Sequence, residues 1–255
     1  MSVAVSLREV RKIYPTKAGP INACGPIDLE VSPGRFMSFV GPSGCGKSTL
    51  LLMIAGLVTQ SGGTITVGGN PVIRPLTDIG IVFQSHVLVD WRTVIDNVLL
   101  QIELRKCRRR DYEEKARALL AAVGLGEFTH RYPYELSGGM QQRTAFCRAL
   151  IHDPPLILLD EPLGALDAMT REMVRSDLER LWMTKRPTMI LVTHSIEEAV
   201  QLSDDVIVIT PRPGTVARHI PVGLPRPRSH EVRQSPAFID LVAEIRAIFM
   251  NYGVL

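Results

Sequence analysis

Gly41-Pro42-Ser43-Gly44-Cys45-Gly46-Lys47-Ser48 satisfies G-x-x-x-x-G-K-[ST], a spacing whose chemistry is phosphate binding. Glycines let backbone amides turn inward around an anion, and a helix N-terminus adds positive potential. The lysine reaches β- and γ-phosphates, and the serine hydroxyl ligates Mg2+. The eight residues and the following Thr49 are therefore candidate nucleotide-binding residues, with Ser48 also a candidate metal ligand. A nucleoside triphosphate site of this kind needs a second carboxylate at the end of a neighbouring strand, and Leu156-Ile157-Leu158-Leu159-Asp160 supplies one. Glu161 follows at once, where a carboxylate orients and deprotonates the water that attacks the γ-phosphate. Taken alone, an apolar strand ending in Asp-Glu is a core strand meeting solvent; beside a phosphate loop it reads as a metal ligand and a general base. Leu136-Ser137-Gly138-Gly139-Met140 is a further Ser-Gly-Gly turn feeding a helix, hence a second anion site. One γ-phosphate does not need two such cradles from one subunit.

These groups require strands and helices in a set order. Short β-branched runs at Val3 to Val5, Ile27 to Val31, Phe36 to Val40 and Thr64 to Val67 alternate with turn signals at Ser32-Pro33-Gly34, Gly62-Gly63 and Gly68-Gly69-Asn70. A helix from Lys47 to about Ala55 is entered directly from the glycine-rich turn. Strand, glycine turn and helix open a parallel-sheet α/β protein. Residues from about Ser85 to Tyr134 contain no convincing strand and read as helical, with Asp111 as N-cap of a helix whose apolar residues Ala116, Leu119, Leu120 and Val123 recur until Gly124. Apolar runs at Leu156 to Asp160, Thr188 to Val192 and Asp205 to Ile209 fit fully buried parallel strands, and helices at Met140 to Ile151, Ala168 to Thr184 and Ile196 to Leu202 separate them. The proline-rich stretch Pro211 to Pro236 reads as an extended surface connection. Ser235 and Pro236 then start a last helix with Phe238, Leu241, Val242, Ile245, Ile248 and Phe249 on one face.

Composition narrows the classes. The 255 residues are 45% hydrophobic and 22% charged, ordinary for a globular chain of one large domain or two joined lobes. The longest apolar candidate, Leu50 to Val58, has about half of the ~20 residues that span a bilayer. The opening residues lack the order of a secretory signal, which implies a chain that stays in the cytosol. Cys24, Cys45, Cys107 and Cys147 are spread without metal-ligand spacing, so they indicate neither a zinc site nor a disulfide framework. A net charge of +3 implies no nucleic-acid partner, and the basic run Lys106, Arg108, Arg109 and Arg110 runs straight into Asp111, Glu113 and Glu114, as a solvated helix approach does.

On the phosphate loop, the Asp160-Glu161 strand and above all Leu136-Ser137-Gly138-Gly139-Met140-Gln141-Gln142-Arg143, the chain resembles the ATP-binding subunits of ABC transporters. Their signature is LSGGQ-like, and Met140 stands where Gln is usual. The resemblance runs from about residue 5 to 235. It implies an α/β fold of the P-loop NTPase type, with an antiparallel β subdomain, a parallel-sheet core and an inserted helical subdomain. Residues 1–84 and 155–235 would form the core with its β subdomain, 85–154 the helical signature part and 236–255 a terminal helix. It further implies ATP and Mg2+ as cofactors and a head-to-tail homodimer in which Ser137 and Gly139 of one copy complete the ATP site of the other, across an isologous interface. Tyr14 matches the aromatic that stacks on adenine. Gln84 matches the glutamine that touches Mg2+ and the attacking water and senses the membrane partner. Ala165-Leu166-Asp167 matches the loop crossing the dimer interface. His194, 34 residues after Asp160, matches the switch histidine on the γ-phosphate. Many relatives have Asp where this chain has Ser195, and Ser195 with Glu198 forms an S-x-x-E capping box that starts the helix equally well.

Trp91 to Val98 resembles the segment on which a short helix of the membrane subunit docks. With Gly164 to Asp167 and Pro211-Arg212-Pro213-Gly214, it is similar to the nitrate, sulfonate and taurine importer branch, which also has relatives serving bicarbonate and vitamin precursors. The partners so implied are a second copy, two integral membrane permease subunits and a separate solute-binding protein, with the chain peripheral on the cytoplasmic face of the membrane. The alternative is a soluble ABC-type ATPase acting in repair, chromosome maintenance or translation. Chromosome-type relatives insert a long coiled coil between phosphate loop and signature, translation-type relatives usually carry two ATPase domains, and repair-type ones add zinc modules. A catalytically dead regulatory subunit conflicts with Glu161 and His194.

Overall fold

The computed structural model describes residues 2–164 and 166–253. In chain order the elements are β1 (Val5–Tyr14), β2 (Ile21–Val31), β3 (Phe36–Val40), α1 (Lys47–Ile54), β4 (Gly62–Val67), β5 (Asn70–Pro71), β6 (Ile79–Val82), α2 (Val94–Leu104), α3 (Glu113–Ala122), α4 (Gly138–Leu150) and β7 (Leu156–Asp160). They continue with α5 (Ala168–Lys185), β8 (Thr188–Thr193), α6 (Ile196–Leu202), β9 (Asp205–Ile209), β10 (Val216–Pro221), α7 (His230–Arg233) and α8 (Pro236–Asn251). They group into two compact units, the first made of residues up to 77 and from 186 onward, the second of residues 78–185.

The first unit holds an antiparallel sheet of order β2-β1-β4-β5 and the strand order β10-β9-β3-β8, in which β3 lies parallel to both β8 and β9. Every residue of β3, β8 and β9 is buried. That is why these strands read as unbroken apolar runs instead of alternating ones. Val200 of α6 and Phe238, Val242, Ile245 and Phe249 of α8 pack with Val206 and Val208 of β9 and Val40 of β3 into one apolar cluster. Helix α8 starts as its sequence requires, with the Ser235 hydroxyl accepting the Phe238 N–H at 3.3 Å and Pro236 in the first turn.

The stretch from Pro211 to Pro236 is more than an extended surface connection. It contains β10, antiparallel to β9, and the short helix α7. Burial supplies the reason: Ile220 and Val222 enter the apolar cluster, and Arg228, only 3% exposed, donates to the carbonyls of Val200, Gln201 and Ser203 and to those of Val222 and Leu224. One guanidinium thus satisfies several carbonyls at the C-terminal end of α6, which would otherwise be orphaned.

In the second unit β6 and β7 are parallel, with Ile79 opposite Leu156. Helices α2, α3 and α4 share a core of Val94, Val98, Leu99, Ile102, Ala116, Leu120 and Cys147. Gly80 permits a close approach, since a Cβ there would lie 2.7 Å from the Ala149 carbonyl oxygen of α4. Asp111 is not the cap of α3. It closes a single 3-10 turn, Arg109–Asp111, so the helix begins two residues later behind Tyr112, with Glu113 and Glu114 in its first turn. The basic run has carboxylate partners inside this unit: Arg109 pairs with Asp96 at 2.6 Å and Glu103 at 3.2 Å. Burial pushes the Asp96 carboxyl up, but the Thr93 hydroxyl and Arg109 outweigh it and hold the group below the usual carboxylate range. Among the described residues no helix is long and apolar enough to cross a membrane.

Candidate functional site

Strand β3 delivers the chain into the phosphate loop and α1 leaves from it. Gly44 and Gly46 have φ of +76° and +101°, a region that L side chains rarely adopt. Space is equally restrictive. A Cβ on Gly41 would sit 2.8 Å from the Ile209 carbonyl oxygen, and one on Gly46 would sit 2.7 Å from that of Ala23. The glycines of the motif are thus required by backbone conformation and by close packing. Lys47, 5% exposed, curls back so that Nζ donates to the carbonyls of Gly41 at 2.8 Å and Pro42 at 2.9 Å. Its ammonium is therefore held at the centre of the loop. Helix α1 has Gly46 as N-cap, no side-chain cap bond and no acidic residue in its first turn. The dipole end, the loop and one buried cation suit a polyphosphate.

Cys45 lies inside the loop with its thiol pushed up by burial, against the opposing pull of Lys47, and burial raises Cys24 to about 11. Both are neutral thiols at ordinary pH, structural rather than nucleophilic. Tyr14 ends β1 opposite Ile21, half-buried, with Lys12 Nζ 4.8 Å from its ring centroid. His194 is exposed just past β8. The Ser195 hydroxyl accepts the Glu198 N–H at 3.2 Å, as a cap should, but the return half of the expected capping box runs through Thr193. Thr193 Oγ1 takes the Ser195 N–H at 3.1 Å and bonds the Glu198 carboxylate. This network fixes the backbone on both sides of His194.

The remaining candidates belong to the second unit. Gln84 is exposed just after β6. The loop it opens is clamped twice: Arg148 of α4 donates to the carbonyls of His86 at 3.0 Å and Val87 at 2.6 Å, and the fully buried Asn97 bonds both the N–H and the C=O of Val89 and the carbonyls of Arg92 and Thr93. Between the clamped ends Trp91 is 81% exposed. Asp160 and Glu161 are half-buried where β7 ends, and Glu161 has φ of +44°, an uncommon conformation for a residue with a side chain. Ser137 caps α4 by accepting the Met140 N–H at 3.4 Å. Gly138 faces open space, whereas a Cβ on Gly139 would lie 2.1 Å from Thr170 Cγ2. Met140 packs against the helical core, so its change from Gln leaves the Ser-Gly-Gly turn intact. In the Ala165-Leu166-Asp167 segment, Ala165 lies outside the described residues; Asp167 accepts the N–H groups of Met169 and Thr170 at the start of α5.

The oxygen donors Ser48, Gln84 and Asp160 are hard ligands of the kind Mg2+ takes. Among the described residues no cluster of three His, Cys, Asp or Glu suits a different metal. The clamping residues Arg148 and Asn97 were not singled out in the sequence. An asparagine amid the apolar residues of α2 was the available signal, because a polar amide at a core position must bond backbone.

A family model described as ABC transporter matches residues 24–164. The chain is 42% identical over 233 residues to the taurine import ATP-binding protein of Rhizobium johnstonii, covering 89% of each. It is 38% identical over 253 residues to the aliphatic sulfonates import ATP-binding protein of Bacillus cereus, covering 99% of this chain and 98% of that one. Among solved structures, the bacterial ABC transporter cassette MJ0796 in dimeric form matches with a TM-score of 0.76 at 32% identity, over 86% of this chain and 98% of the other. The same cassette in a post-hydrolysis state bound to ADP and Pi matches with a TM-score of 0.74.

Proposed function

Since the chain belongs to the family of ABC transporter ATP-binding proteins, we propose that it is the ATP-hydrolysing subunit of an importer for a small solute, a taurine-, sulfonate- or nitrate-like anion or a vitamin precursor. The observation that carries the ATPase reading is Lys47, a buried ammonium centred in a glycine-dependent loop at a helix N-terminus. Near full-length likeness to import ATP-binding proteins carries the transport reading. The exposed Trp91, on a loop clamped at both ends, supports a docking surface for a membrane subunit. Two permease subunits and a separate solute-binding protein complete the assembly, and the chain sits on the cytoplasmic face of the membrane.

The residues divide the chemistry. Tyr14 stacks on adenine. The amides of Gly41 to Thr49 and the Lys47 ammonium take the phosphates. Ser48, Asp160 and Gln84 would hold Mg2+, which would supply positive charge beside the phosphate oxygens. Glu161 accepts a proton from the attacking water, and His194 and Gln84 hold the γ-phosphate and that water in line. Ser137 and Gly139 of a second copy close the site from the opposite side through the dipole of α4. ATP thus joins two copies head to tail, and hydrolysis releases them, driving alternating access in the membrane subunits. Disrupting the gene in its own host and following uptake of labelled taurine, an alkanesulfonate and nitrate tests the transport reading. Loss of one uptake activity, restored by the intact gene and not by Lys47→Ala, is expected; ATP hydrolysis by the pure chain with all three uptakes untouched would point to another solute, and with no transport defect of any kind to an uncoupled ATPase.

A further inference from the structure

The segment Pro211-Arg212-Pro213-Gly214 is built against the phosphate loop. The Thr210 N–H donates to the Thr215 carbonyl at 2.9 Å, and the Thr210 hydroxyl bonds the Pro213 carbonyl at 3.2 Å, so residues 210–215 form a closed turn. From this turn Arg212 places Nε and one terminal nitrogen each 3.2 Å from the Gly44 carbonyl oxygen. Gly214 lies directly under the next peptide; a Cβ there would fall 2.0 Å from the Cys45 carbonyl oxygen. Gly214 also bridges to β2, its carbonyl accepting the Gly25 N–H at 2.8 Å beside Cys24. Cys24 in turn faces Lys12, two residues before Tyr14. One turn therefore touches the crest of the phosphate loop and the strand pair that carries the adenine-stacking tyrosine.

We propose that Arg212 is a positioning residue for the nucleotide. Its fork fixes the peptide between Gly44 and Cys45, whose N–H donates to the Pro42 carbonyl at 3.4 Å, so a guanidinium on the Gly44 carbonyl holds the crest of the loop in its turn from outside. Gly214 backs the loop so that it stays in the shape that takes phosphates. The inference rests on the loop being the ATP site, and a Lys47→Ala control separates the two ideas: ATP binding undiminished in that variant removes the site itself, whatever Arg212 does.

The test is steady-state hydrolysis by the full chain, with thermal melts to verify folding, for Arg212→Ala and Arg212→Lys at about 0.05 and 0.5 M KCl. Arg212→Ala is expected to raise KM for ATP about tenfold while kcat stays within about twofold, because the residue shapes the ground-state cradle and touches no reacting atom. Arg212→Lys keeps the charge but cannot fork, so its KM should rise nearly as far at both salt concentrations. Wild-type KM in a folded Arg212→Ala, a loss confined to kcat, or full rescue by lysine would each overturn the proposal. If Arg212→Ala does not fold, the lysine variant decides alone.

Discussion

Lys47→Ala should weaken ATP binding about a hundredfold. The ammonium lies nearly buried, held by the Gly41 and Pro42 carbonyls at 2.8 and 2.9 Å. A triphosphate offers anionic oxygens in place of neutral carbonyls, and each charge-assisted bond contributes about 1.5–3 kcal/mol. Losing one or two of them corresponds to about 3 kcal/mol, hence roughly two decades in the dissociation constant. The loop itself is held by its glycines and by β3, so the variant should melt close to the parent. Displacement of a fluorescent ATP analogue measures the affinity directly. A dissociation constant within about fivefold of the parent would mean that the phosphates bind elsewhere.

Glu161→Gln acts on a different link. The amide has the same shape but cannot take a proton, so ATP should bind with near-parental affinity while turnover falls by a factor of about 10² to 10⁴, the range that general-base catalysis supplies. The positive φ of Glu161 makes this test informative, because glutamine meets the same backbone demand as glutamate and strain does not change between the two. ATP that binds and is not hydrolysed should hold two copies together. Single-turnover phosphate release separates the steps, and hydrolysis near the parental rate would remove Glu161 from the base role.

The elements that position these groups were legible where physics leaves one reading. Strands β3, β7, β8 and β9 sit with both faces covered, so their apolar runs announce them, and the turn from β3 into α1 follows from the glycine spacing. Of strand β1 only the run Val3 to Val5 at its start stood out, for a definite reason. Its alternation starts with Val5 and Leu7, then breaks where Glu9 adopts φ of +53° and the pairing with β2 shifts register before Val10. A bulge of this kind defeats a period of two. Gly25 and Pro26 disguised the first half of β2 in the same way, since neither belongs in a regular strand interior. Strand β10 was masked by flanking prolines. The chemistry-bearing residues were legible as motifs, but Arg212 and Arg148 act on backbone carbonyls far along the chain, and only the folded geometry pairs them with the loops they hold. Their contacts depend on tertiary packing, which periodicity does not encode.

In the proposed function each ATP site is composite, with a phosphate loop from one copy and a Ser-Gly-Gly turn from another. Mixing two inactive variants tests it most directly. Lys47→Ala disables the loop and Ser137→Arg blocks the turn; in a mixed head-to-tail dimer both lesions fall on one site and the other is intact. Equimolar mixing should restore hydrolysis to roughly a quarter of the parental rate, because about half of the dimers are mixed and each keeps one of two sites. A mixture no more active than either variant alone, under conditions where light scattering shows dimers, would contradict the composite site.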